Sequence, residues 1–208
     1  IASLSPVRQP VCMRCGKEVT GSRMEYCPDC MRHPRSFDGG AALFHYNEAA
    51  RRSMAAIKYK NRREYLDFYS QALVSRYGKW LSHIQPDALV PVPVHPARRR
   101  KRGFNQAEEL AERISLLTGI PVRADLLIRI RKTLPQKELN PAERLNNLRL
   151  AFAVSDFYKA HPEQIPRRVV LADDIYTTGS TMEACTRVLK AAGVKQVYIM
   201  SICIGKGR

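Results

Sequence analysis

Apolar residues along this chain recur in blocks with two different periods, and the period separates strands from helices. Phe37 to Tyr46 reads as extended, with glycines at 39 and 40, and a basic helical stretch starts at about Asn47. Arg62 to Leu81 repeats Leu66, Tyr69, Leu73 and Tyr77 near a 3.6-residue spacing, so one face of that helix should lie on a sheet. Asp87 to Val94 is a short apolar run punctuated by Pro91 and Pro93, which predicts a strand that ends abruptly in a loop. From Asn105 to Leu117, the residues Ala107, Leu110, Ala111, Ile114 and Leu117 share one helical face. Asn105 and Glu108 have capping-box spacing, and Gly119 with Pro121 supply the stop. Leu126 to Lys132 alternates Ile128 and Ile130 with Arg129 and Arg131, as a strand with one wet face does.

The last third has the plainest pattern. A strand at Arg168 to Ala172, a loop to Thr178, a helix from about Ser180 to Ala192 and a strand at Val194 to Ile204 make a βαβ unit. Both strands are nearly continuous apolar runs, which places them in the buried middle of a parallel sheet. The fold class is therefore α/β, a parallel sheet flanked by helices. At 208 residues the chain holds one sizeable core and a small appendage.

The appendage is marked by cysteines. Four of the six fall as Cys12-Met-Arg-Cys15 and Cys27-Pro-Asp-Cys30, two pairs that can present four thiolates to one tetrahedral zinc ion. Gly16 suits the tight turn of such a knuckle, and the metal would replace a core that some 30 residues cannot build. Two disulfides or redox-active thiols are the alternatives; a reducing compartment disfavours the first, and the second usually come as a single pair. His33 is a bystander, because four thiols close the site and leave zinc a structural role. Cys185 and Cys203 stand alone in apolar segments and read as small buried hydrophobes. The expected division is a knuckle over 1–36 and an α/β domain over 37–208.

Charge narrows the class of partner. Thirty-five Lys and Arg against 19 Asp and Glu leave +16, a balance that attracts nucleic acid, anionic lipid or phosphorylated small molecules, or that serves only solubility. No stretch approaches the length of a membrane helix and no secretory signal is visible, so a cytoplasmic protein without a membrane span is expected.

The segment after the Arg168 strand carries the chemistry. Gly179 allows close backbone approach to a ligand, the following helix start aims N–H groups at an anion, and Thr177, Thr178, Ser180 and Thr181 add hydroxyls. Asp173 and Asp174 suit ribose hydroxyls or a divalent cation. The run Asp173-Asp174-Ile-Tyr-Thr177-Thr178-Gly179-Ser180-Thr181 resembles the signature of type I phosphoribosyltransferases. That resemblance implies a phosphoribosyl-diphosphate ligand with magnesium: the acidic pair as the catalytic residues on the ribose, the Thr-rich turn around the 5′-phosphate. It also implies a pyrophosphate loop after an earlier strand, where Val92, Pro93, Val94 and His95 stand. The family's reaction displaces pyrophosphate from the anomeric carbon by a nitrogen nucleophile.

Five successive cations, Arg98, Arg99, Arg100, Lys101 and Arg102, then Phe104, could engage single-stranded DNA, with Phe104 and Tyr176 stacking on bases. Arg51, Arg52, Lys58, Lys60, Arg62 and Arg63, interleaved with Tyr59 and Tyr65, could lengthen that track or simply form a solvated face. Taken together, the cysteine pairs, Val-Pro-Val-Pro, Arg-Gly-Phe-Asn-Gln at 102–106, Gln136 with Arg144 and Asn147, and the acidic loop resemble the ComF family of bacterial competence proteins. That family implies handling of incoming single-stranded DNA in the cytoplasm beside a helicase-like ATPase. The comparison also makes 131–147 a flexible loop whose Lys132, Lys137 and Arg144 reach pyrophosphate. Three functions stay in view: a DNA-uptake factor with a retained phosphoribosyl site, an active phosphoribosyltransferase of nucleotide salvage, and a non-catalytic adaptor. No base-recognition segment is visible.

Overall fold

The computed structural model describes residues 4–21, 24–130 and 151–205. Among them, β1 (Gly39–His45), β2 (Ala88–Pro91), β5 (Arg168–Tyr176) and β6 (Gln196–Ile204) form one sheet in the order β1-β6-β5-β2, every pair parallel. The two apolar strands of the βαβ unit occupy the centre, as their composition predicts. A separate antiparallel pair joins β3 (Leu127–Arg129) to β4 (Phe152–Val154), the latter too short to stand out in the sequence.

Helices cover both faces. Helix α1 (Pro28–Arg32) belongs to the cysteine segment; α2 (Glu48–Lys60), α3 (Tyr65–Ile84) and α5 (Gln106–Thr118) lie with the sheet residues Leu89, Val170, Ala172, Met200 and Ile202 in one apolar cluster. Leu66, Tyr69, Leu73 and Tyr77, the helical repeat of α3, are all buried there, and burying each is worth roughly 1.5–3 kcal/mol. Leu117 departs from its predicted face: it lies in the last turn of α5 and is half exposed. Helices α6 (Asp156–Ala160) and α7 (Ser180–Ala191), together with the β3–β4 pair, cover the opposite face.

The cysteine segment also packs on that opposite face: Cys12, Cys15, Cys27 and Cys30 share a cluster with Phe37, Ala42, Leu171 and Tyr176. Its seat is Gly40, where a Cβ would lie 2.9 Å from the Arg14 carbonyl oxygen and 2.6 Å from Ile199, so only glycine admits the knuckle this close to β1. Backbone bonds from Val7 N–H to Leu43 O and from His45 N–H to Ser5 O tie the preceding residues to the outer edge of β1. Among the described residues no helix is long and apolar enough to cross a membrane.

Two element boundaries differ from expectation. Strand β5 runs to Tyr176, four residues further than its apolar run, because β6 stays extended beside it and pairs Asp173 with Ser201 and Tyr176 with Ile204. The basic run is helix α4 (Pro96–Arg102), with Pro96 in the first turn, the His95 side chain accepting from Ala97 N–H, and Gly103 closing it in the left-handed region at φ 82°.

Candidate functional site

The carboxyl ends of β5 and β2 meet the start of α7, where open parallel sheets bind ligands. Gly179 caps α7 at φ 77°, and a Cβ there would fall 2.2 Å from the Tyr176 hydroxyl, so the turn lies directly on the tyrosine ring. Thr177 and Thr178 are exposed, Ser180 and Thr181 half-buried, and Thr178 Oγ1 lies 2.9 Å from Ser180 Oγ. Hydroxyl side chains thus cluster at the start of a 12-residue helix, whose first N–H groups have no partner within the helix, chemistry that suits an anion.

Asp173 and Asp174 stand on the strand rather than on the loop, and adjacent strand residues point to opposite faces. Asp174 is buried, ion-paired to Lys58 of α2 and accepting from Gln106 Nε2 of α5 at 3.3 Å. Asp173 is half-buried, on the side of the sheet where Arg129 and Cys185 lie. Burial first, and then the charge of Asp174, holds the Asp173 carboxyl well above the ordinary range. The pair is therefore not two equivalent free acceptors at a lip. One carboxylate is held by Lys58 and Gln106; the other points to the opposite face of the strand.

The loop after β2 is brought to the same place. Val92 N–H donates to Ala172 O at 2.9 Å, and Asn105 Nδ2 holds Val92 O at 3.1 Å while its Oδ1 caps α5 through Ala107 N–H. The capping box is half realised, because Glu108 turns to Arg99 instead. Gln106 also accepts from Arg102 at 3.2 Å, so the Arg-Gly-Phe-Asn-Gln run links α4, the Val92–His95 loop and Asp174. Lys58, Asn105 and Gln106 were not legible as site residues: their partners are 116, 13 and 68 positions away.

A match to the family model described as the phosphoribosyl transferase domain covers residues 82–208. The chain belongs to that family. The matched residues contain the site just described, from the Val92 loop to the turn at Gly179, except for Lys58, which comes from α2. Over nearly its full length the chain is also similar to "Competence protein F" of Haemophilus influenzae, at 29% identity over 201 residues, 93% of this chain and 84% of the relative. "Competence protein ComFC" of Streptococcus pneumoniae is 28% identical, with 92% and 86% covered. "DNA utilization protein YhgH" of Escherichia coli K12 is 26% identical, with 93% and 83% covered.

The remaining predicted residues divide. Arg98, Arg99, Arg100 and Lys101 of α4 are exposed, on the helix whose Arg102 bonds Gln106 next to Asp174. Phe104 and Tyr176 are not available to stack on bases: Phe104 is buried beneath Arg63, 5.0 Å from guanidinium carbon to ring centroid, and Tyr176 is buried against Phe37. The exposed ring nearby is Tyr59, 73% accessible and covered on one side by Arg102 at 5.2 Å. Lys132, Lys137 and Arg144 lie outside the described residues, as do Gln136 and Asn147.

Cys12, Cys15, Cys27 and Cys30 form a buried cluster with all four sulfurs within 4.8 Å of one another. Cys15 Sγ and Cys27 Sγ are 3.7 Å apart, far beyond a disulfide and close to the about 3.8 Å edge of a tetrahedron of thiolates around zinc. Thiol donation from Cys15 and its neighbours pushes Cys12 below its ordinary value, while Cys12 in turn pushes Cys15 up. Four thiolates this close would repel one another, a crowding that a divalent cation relieves. The cluster is compatible with structural zinc. Cys185 is driven well above its ordinary value by burial, and Cys203 is pushed up to about 12, so both are inert apolar fillers.

Proposed function

We propose that this protein is a DNA-uptake factor that handles single-stranded DNA in the cytoplasm and carries a phosphoribosyl-diphosphate site on the same end of its sheet. The observation that carries this reading is the juxtaposition of the hydroxyl-bearing turn at 177–181 with the exposed cations of α4. The names of the full-length relatives support the DNA half, and the phosphoribosyl transferase domain supports the ligand half.

In this reading Thr177, Thr178, Gly179, Ser180 and Thr181 take the 5′-phosphate, Asp173 faces the ribose while Asp174 is fixed behind it by Lys58 and Gln106, and Val92 to His95 approach the pyrophosphate. Asp173 would hold magnesium together with a phosphorylated ligand, and the ion would supply charge neutralisation for departing pyrophosphate. Arg98, Arg100 and Lys101 engage DNA phosphates, with Tyr59 in the stacking position assigned to Phe104 by the sequence pattern. Four cysteines hold zinc, and a helicase-like ATPase is the partner in transport.

Two measurements decide the halves. Single-strand affinity should fall steeply with salt; an affinity indifferent to salt removes the DNA reading. Calorimetry with phosphoribosyl diphosphate and magnesium should give heat on the wild type and none on Asp173→Ala with Asp174→Ala; equal heats refute the ligand assignment. A second reading, a working phosphoribosyltransferase, is favoured by the domain match alone. It requires pyrophosphate release from phosphoribosyl diphosphate in the presence of an acceptor.

A further inference from the structure

The chain between the cysteine knuckle and β1 passes directly behind the turn at 177–181. Five residues after Cys30, Arg35 Nη2 donates to Thr178 O at 2.8 Å. Ser36 donates twice to the Glu183 carboxylate, from its backbone N–H at 2.8 Å and its hydroxyl at 2.7 Å. Glu183 lies in the first turn of α7, 1% exposed, and its other bond comes from Arg187 Nε at 2.6 Å. Burial alone would raise this carboxyl, but Ser36 and Arg187 outweigh it and hold it below the ordinary value, so these are bonds to a charged acceptor. Phe37, fully buried, meets Tyr176 edge-on at 6.4 Å and 86°, and the Tyr176 hydroxyl supports Gly179.

The strap has one fixed end. Asp38 N–H bonds Val197 O, and the Asp38 carboxylate accepts from Val197 N–H and Lys190, so this end is locked to β6 and α7. The other end is Cys30, in α1, whose position depends on what the four sulfurs hold. Thiols without an ion have no fixed common centre, whereas a bound ion fixes all four within a few tenths of an ångström. Arg35 and Ser36 hang between these ends.

We propose that the knuckle is the rear wall of the phosphate turn, and that metal bound by Cys12, Cys15, Cys27 and Cys30 sets the geometry of residues 177–183 through Arg35, Ser36, Phe37 and Tyr176. This deepens the reading of that turn as a phosphate site and rests on it for its functional consequence. Arg35 and Ser36 are positioning residues. They act on the ligand through the Thr178 carbonyl and the first turn of α7.

The test is hydrogen exchange of the amides in 177–183, read without ligand, on the full chain with its metal content measured. Arg35→Ala with Ser36→Ala should keep one zinc per chain yet speed exchange in that segment about tenfold, leaving 196–204 in β6 unchanged. Arg35→Lys with Ser36→Thr should recover most of the protection. Chelation of the wild type should reproduce the acceleration. Unchanged exchange at 177–183 in the metal-loaded double variant overturns the proposal, and so does acceleration spread equally into β6. Calorimetry with phosphoribosyl diphosphate and magnesium should show about tenfold weaker binding by the double variant. If wild type gives no heat, the phosphate reading fails, while exchange still decides the coupling.

Discussion

The two basic clusters of this protein look alike in sequence and differ in what their charges meet. On α2 and in the turn before α3, Arg51 and Arg52 pair with Glu48, Lys58 with Asp174, Arg62 with Glu64 and Arg63 with Glu109. On α4 only Arg99 has an acidic partner, Glu108, and Arg102 turns to Gln106 and Tyr59; Arg98, Arg100 and Lys101 have no ion pair among the described residues. Apart from Lys60, the first cluster is answered internally, and one of its members is built into the site. The second leaves its field to the solvent, where a polyanion can meet it. A formal charge of +16 counts both alike, so composition overstates the surface that can bind nucleic acid.

Lys58→Met should have the largest effect and break the symmetry between the clusters. It strands a buried Asp174 carboxylate, which should cost about 3 kcal/mol in urea unfolding while changing single-strand affinity less than about threefold. Next, replacing Arg98, Arg100 and Lys101 together by Gln should weaken single-strand binding roughly thirtyfold at about 50 mM salt and reduce the salt slope by about 2, read by fluorescence anisotropy. Its unfolding midpoint should not move.

Asp173→Asn sharpens the contrast between the two carboxylates. Because Asp173 is raised, its stabilising contribution is fully present below the ordinary value near 3.8 and is lost as pH rises through the raised value. The variant escapes that loss, so its melting temperature should gain on wild type as pH rises above the ordinary value near 3.8, although heats with phosphoribosyl diphosphate disappear. A constant difference as pH rises would show that Asp173 does not titrate as described. Last, Arg51→Gln with Arg52→Gln should move stability by no more than about 0.5 kcal/mol and affinity by less than about twofold. A larger loss of affinity would place DNA on α2 as well.

Much of this architecture was legible from periodicity. The α3 repeat, the αβ alternation and the central βαβ unit follow from apolar spacing, because those residues are buried for the same reason they recur. The acidic pair was recognisable as chemistry but misplaced by local pattern: two Asp after Ala172 look like a loop start, and only the β6 residues Ser201 to Ile204 keep that segment extended. Helix α4 carried its own signals, Pro96 at the start and Gly103 past the end, yet its repelling charges masked them. Phe104 illustrates the opposite failure, since an aromatic beside five cations looks like a stacking ring until Arg63 and the α3–α5 packing enclose it.

By itself the sequence determined the α/β class, the four-sulfur cluster and the chemistry of the turn at Gly179, because each depends on residue types at short spacing. Tertiary structure alone decided which cations have no acidic partner among the described residues, which carboxylate is engaged by Lys58 and Gln106, and that the knuckle stands behind the turn at 177–181. Those outcomes depend on pairs dozens to more than a hundred residues apart, from Gln106–Asp174 to Arg35–Thr178, and only the folded sheet brings such pairs within a bond's length.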